Sequence, residues 1–343
     1  MTPTPDGRRL SWDVVTGDAV RDVFDQNWDA LARLNPKATA FQSAAWHRAW
    51  IEAVAAGEGK VPLVVTAGAD GRTVAAMALQ EDLTAPRPVL QPLTAPWADY
   101  HDAVGVPGDE AGWRTLLDGL AAVASSRGAE LELGELVRGG LLDRALPGGI
   151  ERGQASPVCG IELDAEGHLQ ALAGMKEYAV KHRRLARLAE LSCRHYREPA
   201  EIESRLSHLV ALHRAQWAGR PEAVAPFDDL VEGGFRAMVR RMAPAGHLVY
   251  TELSSGDNVI ACYFGMLWER WYCGYRTAYD ADYFRYSPGH LMLRAMIDDF
   301  PGLGITYLDL TRGAYAYKAA YANRADHNTR MRVRAADLVP QHH

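Results

Sequence analysis

The chain has 343 residues, of which 48% are hydrophobic and 23% are charged, and its formal net charge is −6. The length suffices for two domains of ordinary size, and the composition is typical of a globular protein. The acidic balance argues against a protein that coats nucleic acid, and no apolar run approaches the ~20 residues that a membrane helix needs.

The N-terminus and the cysteines indicate the compartment. The first 15 residues contain no apolar segment after their charges, so we expect no signal peptide. The four cysteines lie far apart and none has CxxC spacing, which argues against a zinc site and against a disulfide framework. We therefore expect a cytoplasmic protein with no bound metal and no membrane partner.

The first half alternates between strand and helix patterns. Residues 11–16 (SWDVVT) predict a strand, and apolar residues at helical spacing between Asp18 and Leu31 predict one helix. Two apolar stretches within 61–80, joined by a Gly/Asp turn, predict a β-hairpin. A helix over 109–126 and a strand over 130–135 follow.

The pattern restarts near Gly148–Gly160, which is rich in glycine and proline. This restart predicts an N-terminal domain over residues 1–150 and a C-terminal domain over residues 151–343. In the second domain, apolar stripes predict long helices over 199–217 and 228–242. Three strands, another helix and a further strand then lead to Lys318.

The two halves share an order of parts, and this order indicates an internal repeat. Each half has helices, a hairpin with a Gly/Asp turn, a Pro-Gly step into a helix, and a strand that mixes apolar and acidic residues. Chance similarity of two α+β segments is the alternative. The repeat predicts two related domains of mixed sheet and flanking helices.

The two copies differ at the start of the helix that follows the Pro-Gly step. A helix N-terminus attracts anions through its free N–H groups and its dipole. In the first copy Asp109 and Glu110 occupy this place and would repel a phosphate. In the second copy the helix opens with Ser287, Pro288, Gly289 and His290, and Arg285 lies just upstream. We therefore expect the active site in the second copy and a non-catalytic first copy.

The segment SPGHLMLRAMIDD, followed by YLDLTRGAYAYKAAYA, resembles the second half of the CelD/BcsL-like acetyltransferases. These are double-GNAT proteins of the GNAT acyltransferase superfamily and are related to the FemAB aminoacyltransferases. FQSAAWHRAW, DYHD, KHRRLAR and LHRAQW fit the same family in the same order. The resemblance covers most of the chain. It implies an α+β fold of tandem GNAT-like domains with mixed central sheets flanked by helices.

The resemblance also implies transfer of an acyl group to an amine. The expected donor is acyl-CoA, with acetyl-CoA first, and the expected partner is a small-molecule amine acceptor. Aminoacyl-tRNA, as in the FemAB relatives, is the alternative donor, which the net charge disfavours. A degenerate fold that binds without catalysis is a further alternative, because Ala314 and Tyr315 stand where the family usually has an Asp-Glu pair.

Three residues near the C-terminus are predicted to be catalytic. Lys318 would hold a developing oxyanion or an acceptor anion, and a solvated surface lysine is the alternative. Tyr317 would act as general acid toward the leaving group, and a half-buried aromatic is the alternative. Asp309 would accept a proton from the amine or position it, and exposure on an outer face is the alternative.

A larger set is predicted to bind the ligands. The cofactor-binding residues are those of the helix opening: Arg285, Ser287, Pro288, Gly289 and His290. The substrate-binding residues come from both halves: Asp99, Tyr100, His101, Trp217, Tyr275 and Arg312. For these six the alternatives are core packing, a structural salt bridge or a plain turn.

The basic helix predicted over Lys176–Glu190 offers a further contact surface. Its cations, together with Arg194 and Arg197, can bind coenzyme phosphates, an anionic acceptor or tRNA, or can simply form a solvated face. The chain contains no GxSxG, GxxxxGK[ST] or HExxH motif, which argues against a serine hydrolase, a P-loop protein and a zinc protease.

Overall fold

The structure, a computed structural model, describes residues 9–55, 58–175, 178–218 and 227–339. In chain order the strands are β1 (Ser11–Thr16), β2 (Lys60–Ala69), β3 (Arg72–Asp82), β4 (Val89–Pro92), β5 (Val104–Gly105), β6 (Glu130–Leu136), β7 (Gly153–Glu162), β8 (Leu191–Tyr196), β9 (Leu248–Ser255), β10 (Asn258–Trp268), β11 (Trp271–Tyr279), β12 (Tyr307–Arg312) and β13 (Arg324–Val333). The helices are α1 (Val20–Phe24), α2 (Trp28–Arg33), α3 (Ala44–Trp50), α4 (Glu110–Arg127), α5 (Leu141–Ala145), α6 (Ala165–Gly174), α7 (Tyr178–Leu185), α8 (Pro199–Trp217), α9 (Asp229–Met242), α10 (Pro288–Asp299), α11 (Ala316–Tyr321) and α12 (Ala335–Leu338).

The chain forms two compact units. The first comprises the residues up to Ser156 and those from His327 onward, and the second comprises Pro157–Asp326. The predicted division into 1–150 and 151–343 is therefore corrected for the C-terminal segment, because β13 pairs with β6 of the first unit through Thr329–Val333. Which strand pairs with β6 depends on the tertiary structure, and local sequence patterns do not reveal it.

In the first unit the strands lie in the order β1-β2-β3-β4-β6-β13, and β5 pairs with β3. β4 and β6 are parallel, and α4 connects them in sequence. One face of α4 packs into a cluster with the β2–β3 hairpin, which includes Trp113, Leu116 and Leu120 beside Leu63 and Met77. The predicted hairpin, helix and strand of this half are confirmed.

One helix of the first unit differs from its prediction. The single helix expected between Asp18 and Leu31 is two short helices, α1 and α2, separated by residues 25–27. The Asn27 side chain donates a hydrogen bond to the Thr73 carbonyl (3.1 Å) on β3. This contact between elements fixes a break that apolar periodicity does not indicate.

The second unit repeats this plan in the order β7-β12-β11-β10-β9-β8. β9, β10 and β11 form an antiparallel meander, α10 follows, and β12 returns parallel to β11. Leu291, Met292 and Met296 of α10 belong to one buried cluster with Tyr263 and Tyr272 of the sheet. Both units therefore contain a strand, a crossover helix and a parallel strand, as the sequence repeat predicts.

The first unit is completed by a strand that lies beyond the second unit in the chain. β13 follows β7–β12 in sequence, yet it pairs with β6 of the first unit. We call β13 the exchanged strand. β7 stays with the unit that it opens, because its residues Val158–Glu162 pair with β12. Of the helices that the structure describes, none combines the length and the apolar character that membrane crossing requires.

A buried histidine of the first unit gives this unit a predicted sensitivity to acid. The His47 ring lies 5.1 Å from Phe24 and 5.5 Å from Trp28, and burial lowers its pKa from 6.5 to about 3, with a smaller effect from His101. Between these values the unfolded chain binds a proton that the folded chain does not, so stability falls as pH falls below 6.5. Lowering the pH from 7 to 5 therefore reduces the free energy of unfolding by about 2 kcal/mol through His47.

His47→Leu should remove this cost. We expect the difference in unfolding free energy between the wild type and His47→Leu to change by about 2 kcal/mol between pH 7 and pH 5, measured by chemical denaturation. The comparison must be between variants, because Asp102, whose pKa burial raises to about 6, favours the folded state at low pH and thus acts in the opposite direction. His182→Ala, at an exposed site, is the control. A difference that does not vary with pH would contradict the prediction.

Candidate active site

The site begins where two parallel strands of the second unit separate. β11 and β12 pair at Trp271–Tyr307, Tyr272–Leu308 and Cys273–Asp309. In the described residues of these strands the pairing ends there, although β11 continues to Tyr279 and β12 to Arg312. Beyond Cys273 the described residues of the two strands make no further ladder pairs, although the Thr311 hydroxyl donates to the Gly274 carbonyl (3.3 Å). We call this divergence of the strand ends the opening.

Asp309 fixes the shape of this opening. Its buried carboxylate accepts hydrogen bonds from the Trp271 indole (3.0 Å) and from the Thr311 backbone N–H (2.6 Å). Thr311 has a φ of 59°, and the register of β12 against β7 shifts between Asp309 and Arg312. A left-handed threonine is strained, so the carboxylate hydrogen bond helps to hold the bend. The alternative of an outer, exposed face does not apply to Asp309, while its predicted catalytic role stays a prediction.

Lys318 lies on α11 and reaches back to the end of β12. Its Nζ donates to the Thr311 carbonyl (3.2 Å) and the Arg312 carbonyl (2.7 Å), and it lies 5.3 Å from the centre of the Tyr315 ring. Only 5% of the residue is exposed, so the alternative of a solvated surface lysine does not apply. The ammonium therefore holds the strand end in place beside the opening.

Tyr317 lies beside the same strand end. Burial raises its pKa to about 12, and the neighbouring Cys159 and Tyr315 add to this effect. The phenol consequently keeps its proton at neutral pH and can donate a hydrogen bond. Its ring meets the His290 ring edge-on, with 5.9 Å between the ring centres. The structure thus brings together a residue predicted to be catalytic and one predicted to bind the cofactor.

The start of α10 is the second part of the site. Pro288 occupies the first turn, that turn contains no carboxylate, and the Ser287 side chain makes no capping hydrogen bond to the helix. The Ser287 hydroxyl instead accepts a hydrogen bond from Lys181 Nζ of α7 (2.8 Å). In the first unit the corresponding helix α4 is capped by Asp109, whose carboxylate accepts from the Gly112 N–H (3.0 Å). An added positive charge thus lies at the α10 terminus, whereas a negative charge occupies the α4 terminus.

Aromatic side chains connect the two parts of the site. The Tyr178 ring stacks on the His290 ring at 4.5 Å and 10°, and Lys181 Nζ lies 4.9 Å from the Tyr178 ring centre. The Tyr321 hydroxyl lies 2.7 Å from His290 Nδ1. His290 is therefore held by α7, α10 and α11 together. Tyr178 and Tyr321 were not predicted, because only tertiary packing places them beside Pro288-Gly289.

Other predicted residues of the second unit lie nearby or in the core. Arg312 ends β12, and its carbonyl accepts the hydrogen bond from Lys318. Arg285 is exposed beside the Tyr286 ring at 4.7 Å, and Gly289 follows Pro288 in the first turn of α10. Tyr275 stacks on Phe235 of α9 at 5.7 Å, which fits its core alternative.

The end of α8 holds the end of β11. Trp217 is half-buried and its ring lies 6.2 Å from His213 of the same helix. The neighbouring Gln216 accepts a hydrogen bond at Oε1 from the Tyr279 N–H (3.1 Å). Gln216 thus accepts the hydrogen bond of the last backbone N–H group of β11, a contact that was not predicted.

Asp99, Tyr100 and His101 lie in the interior of the first unit. The Asp99 carbonyl accepts from Asn328 Nδ2 (2.8 Å), and His101 Nδ1 lies 2.8 Å from the Gly134 carbonyl. The Tyr100 carbonyl accepts from Gln42 Nε2 (3.0 Å). All three are less than 10% exposed. Their contacts join loops and strands of that unit, and their predicted contact with substrate stays a prediction.

The basic helix is shorter than predicted, and α7 spans Tyr178–Leu185. Lys176 lies outside the described residues. Lys181 is half-buried at Ser287, whereas a row of basic residues is exposed: His182, Arg183, Arg184, Arg187, Arg194 and Arg197. Among the basic residues that the structure describes here, Lys181 therefore joins the site and the exposed ones face solvent.

Comparison with known proteins identifies the second unit. Residues 174–319 match the profile of the acetyltransferase (GNAT) domain family. This segment is a GNAT acetyltransferase domain. It contains the diverging strands, α10 and Lys318. The chain is therefore an acyltransferase, as its resemblance to the acetyltransferases implied.

The GNAT fold extends over both units. A crystal structure of FemX is similar to this chain, with 11% sequence identity and a TM-score of 0.66. The similar region covers 89% of this chain and 95% of the FemX chain. A conserved protein of unknown function from Bacteroides thetaiotaomicron is 12% identical, with a TM-score of 0.58. The similar region covers 90% of this chain and 96% of that protein's chain. The C-terminal domain of a putative lysylphosphatidylglycerol synthetase from Agrobacterium fabrum is 12% identical, with a TM-score of 0.53. The similar region covers 78% of this chain and 83% of that domain's chain.

At these identities the likeness concerns the fold. No curated protein sequence matches the chain significantly. The tandem GNAT-like, FemAB-related architecture expected from the sequence is confirmed, and the identities of donor and acceptor are separate questions.

Proposed function

We propose that this protein is an N-acyltransferase that moves an acyl group from acyl-CoA, acetyl-CoA first, to the amine of a small-molecule, cell-envelope or natural-product acceptor. The observation that carries the proposal is the start of α10, where a helix N-terminus without carboxylates meets the Lys181 ammonium. A helix N-terminus and a cation together favour a pyrophosphate, which coenzyme A contains. Ser287, Pro288, Gly289 and His290 form this end of the donor site.

The opening between β11 and β12 suits the rest of the donor. Backbone N–H and C=O groups at the strand ends can bind the amide groups of a pantetheine arm as an added strand would. The acyl carbonyl then lies toward the strand ends, near Tyr317 and Lys318. Backbone N–H groups in this opening would stabilise the oxyanion that forms during attack.

The chemistry follows from direct attack. The neutral amine forms the C–N bond to the acyl carbon, the C–S bond breaks, and the thiolate leaves with the bonding electrons. The nitrogen releases one proton, which replaces the proton that Tyr317 gives to the sulfur. Tyr317 keeps its proton at neutral pH and donates it, or a hydrogen bond, to the departing sulfur. Lys318 and Asp309 hold the strand end and its bend, which positions the reacting groups.

Aminoacyl-tRNA is the second candidate donor. The exposed cations on and after α7, such as Arg183, Arg187 and Arg194, favour it because they can bind phosphates of a nucleic acid. The net charge of −6 opposes it. The four cysteines are all free, which supports a reducing compartment such as the cytoplasm for either donor.

Donor consumption tests the proposal. The purified chain is incubated with acetyl-CoA or longer acyl-CoAs and a panel of amines, and release of the coenzyme thiol is followed with a thiol reagent. We expect a rise in melting temperature with acyl-CoA and amine-dependent thiol release. Consumption of charged tRNA alone would establish the second donor. If no donor stabilises the protein or is consumed, the proposed transfer from these donors is wrong.

A further inference from the structure

Three side chains at the opposite end of α10 from Ser287 form a cluster that the proposed acyl transfer does not use. Cys193 and His195 are two residues apart on β8, so their side chains lie on the same face of the strand. Asp299 is the last residue of α10. The sulfur, one ring nitrogen and one carboxylate oxygen all lie within 4.8 Å of one another.

The imidazole in this cluster is held in a fixed orientation. His195 Nδ1 lies 2.8 Å from the Thr251 hydroxyl of β9, and Nε2 lies 3.1 Å from Asp299 Oδ2. The ring also meets Phe300 edge-on at 5.3 Å. Because both ring nitrogens face oxygen atoms, the imidazole is not placed to act as a base for the Cys193 thiol. The cluster is therefore not a nucleophilic triad.

We propose that Cys193, His195 and Asp299 bind a zinc ion. Zinc takes thiolate, imidazole and carboxylate ligands at about 2.0–2.3 Å in tetrahedral geometry, so neighbouring ligand atoms lie about 3.3–3.8 Å apart. The three candidate ligand atoms lie at most 4.8 Å apart, so their separations differ from that range by about 1 Å or less. The thiolate selects zinc over magnesium and calcium, which prefer oxygen ligands. Thr251 acts as the outer partner that orients a metal-binding histidine.

The charges at this end of α10 favour a cation. Asp298 and Asp299 both lie in the last turn, which contains no basic residue. Asp298 pairs with Arg294 (3.8 Å) and His168 (3.5 Å), so Asp299 is the carboxylate that belongs to the cluster. Carboxylates are unfavourable at the negative end of a helix, and a bound divalent ion offsets this cost. The Asp299 side chain is 47% exposed, which provides an entry path and lets water fill the fourth position.

The zinc ion would act structurally. α10 has 12 residues, so its two ends are about 18 Å apart, and a metal at Asp299 does not reach an acyl group near Ser287. It would join β8 to the helix whose other end forms the donor site. Because zinc binds the folded chain, it stabilises that chain by an amount that grows with the logarithm of its affinity.

Metal binding by the full chain tests this proposal without any measurement of acyl transfer. The protein is stripped with a chelator and titrated with zinc in competition with a chromophoric chelator, and cobalt is used as a spectroscopic probe. We expect one zinc per chain, a higher melting temperature, and a thiolate-to-cobalt charge-transfer band. Cys193→Ser should abolish the band, and Asp299→Asn should weaken zinc binding at least 10-fold.

Cys159→Ser is the matched control, because Cys159 is also half-buried on a strand of the same unit and is not part of the cluster. It should keep the band and the affinity of the wild type. Circular dichroism of each variant separates loss of a ligand from loss of the fold. Absence of stoichiometric zinc binding, or a band that survives Cys193→Ser, would overturn the proposal.

Discussion

Lys181→Ala should weaken binding of acetyl-CoA by about 10- to 100-fold, because it removes the ammonium that meets the Ser287 hydroxyl at the start of α10. A hydrogen bond to a charged group contributes about 1.5–3 kcal/mol, which corresponds to this range of affinity. Lys181→Glu should have a larger effect, since it places a carboxylate beside the start of α10, as Asp109 does at the start of α4. The dissociation constant is measured by calorimetry.

Two controls make this prediction specific. Arg183→Ala removes an exposed cation from the same helix and should change the affinity by less than about 3-fold. An acetylated pantetheine thioester lacks the pyrophosphate, so Lys181→Ala should leave its reaction rate nearly unchanged. An equal loss for both thioesters would place Lys181 at the acyl group instead of at the phosphates. Unaltered binding of acetyl-CoA to Lys181→Ala would contradict the donor site at α10.

Lys318→Ala should lower both stability and turnover. The substitution leaves the Thr311 and Arg312 carbonyls without the ammonium and creates a cavity, at a cost of about 2–4 kcal/mol. We expect the melting temperature to fall by several degrees, because the residue is only 5% exposed. Turnover should fall with it, since the strand end beside Tyr317 loses its anchor. Calorimetry and the thiol-release assay measure the two effects.

A second lysine allows a matched comparison. Lys37 also donates to a backbone carbonyl, that of Arg138 at 2.7 Å, but this hydrogen bond is exposed to solvent. Lys37→Ala should therefore cost less than about 1 kcal/mol. If Lys318→Ala abolishes turnover at an unchanged melting temperature, Lys318 acts directly on the reacting groups, as the sequence prediction held. If neither quantity changes, both roles are excluded.

The sequence was most informative where local rules decide the structure. The contrast between Asp109 and Ser287 could be predicted because a carboxylate at the first turn of a helix caps it and repels anions. The β2–β3 hairpin, α8 and β12 follow from turn chemistry and apolar periodicity in the same way. These features depend on residues close together in the chain.

The parts that could not be predicted depend on residues far apart. Asp309 alternates with Leu308 and Leu310, which predicts a different exposure for the two faces of the strand, yet all three are buried. A central strand is covered on both faces, so alternation there does not report exposure. Lys181 reaches Ser287 across 106 positions, and Asp299 is 104 positions from His195. Such pairs become visible only in the folded chain.

The exchanged strand β13 determines when the first unit can finish folding during synthesis. β13 leaves the ribosome after the other strands of the second unit, yet it pairs with β6 of the unit that is made earlier. Until then the edge of β6 exposes unpaired N–H and C=O groups, which invite pairing with other chains. The N-terminal unit therefore cannot mature ahead of the C-terminal one. For the same reason, cutting the gene at residue 156 would give an N-terminal fragment without β13 and a C-terminal fragment with an unpartnered strand.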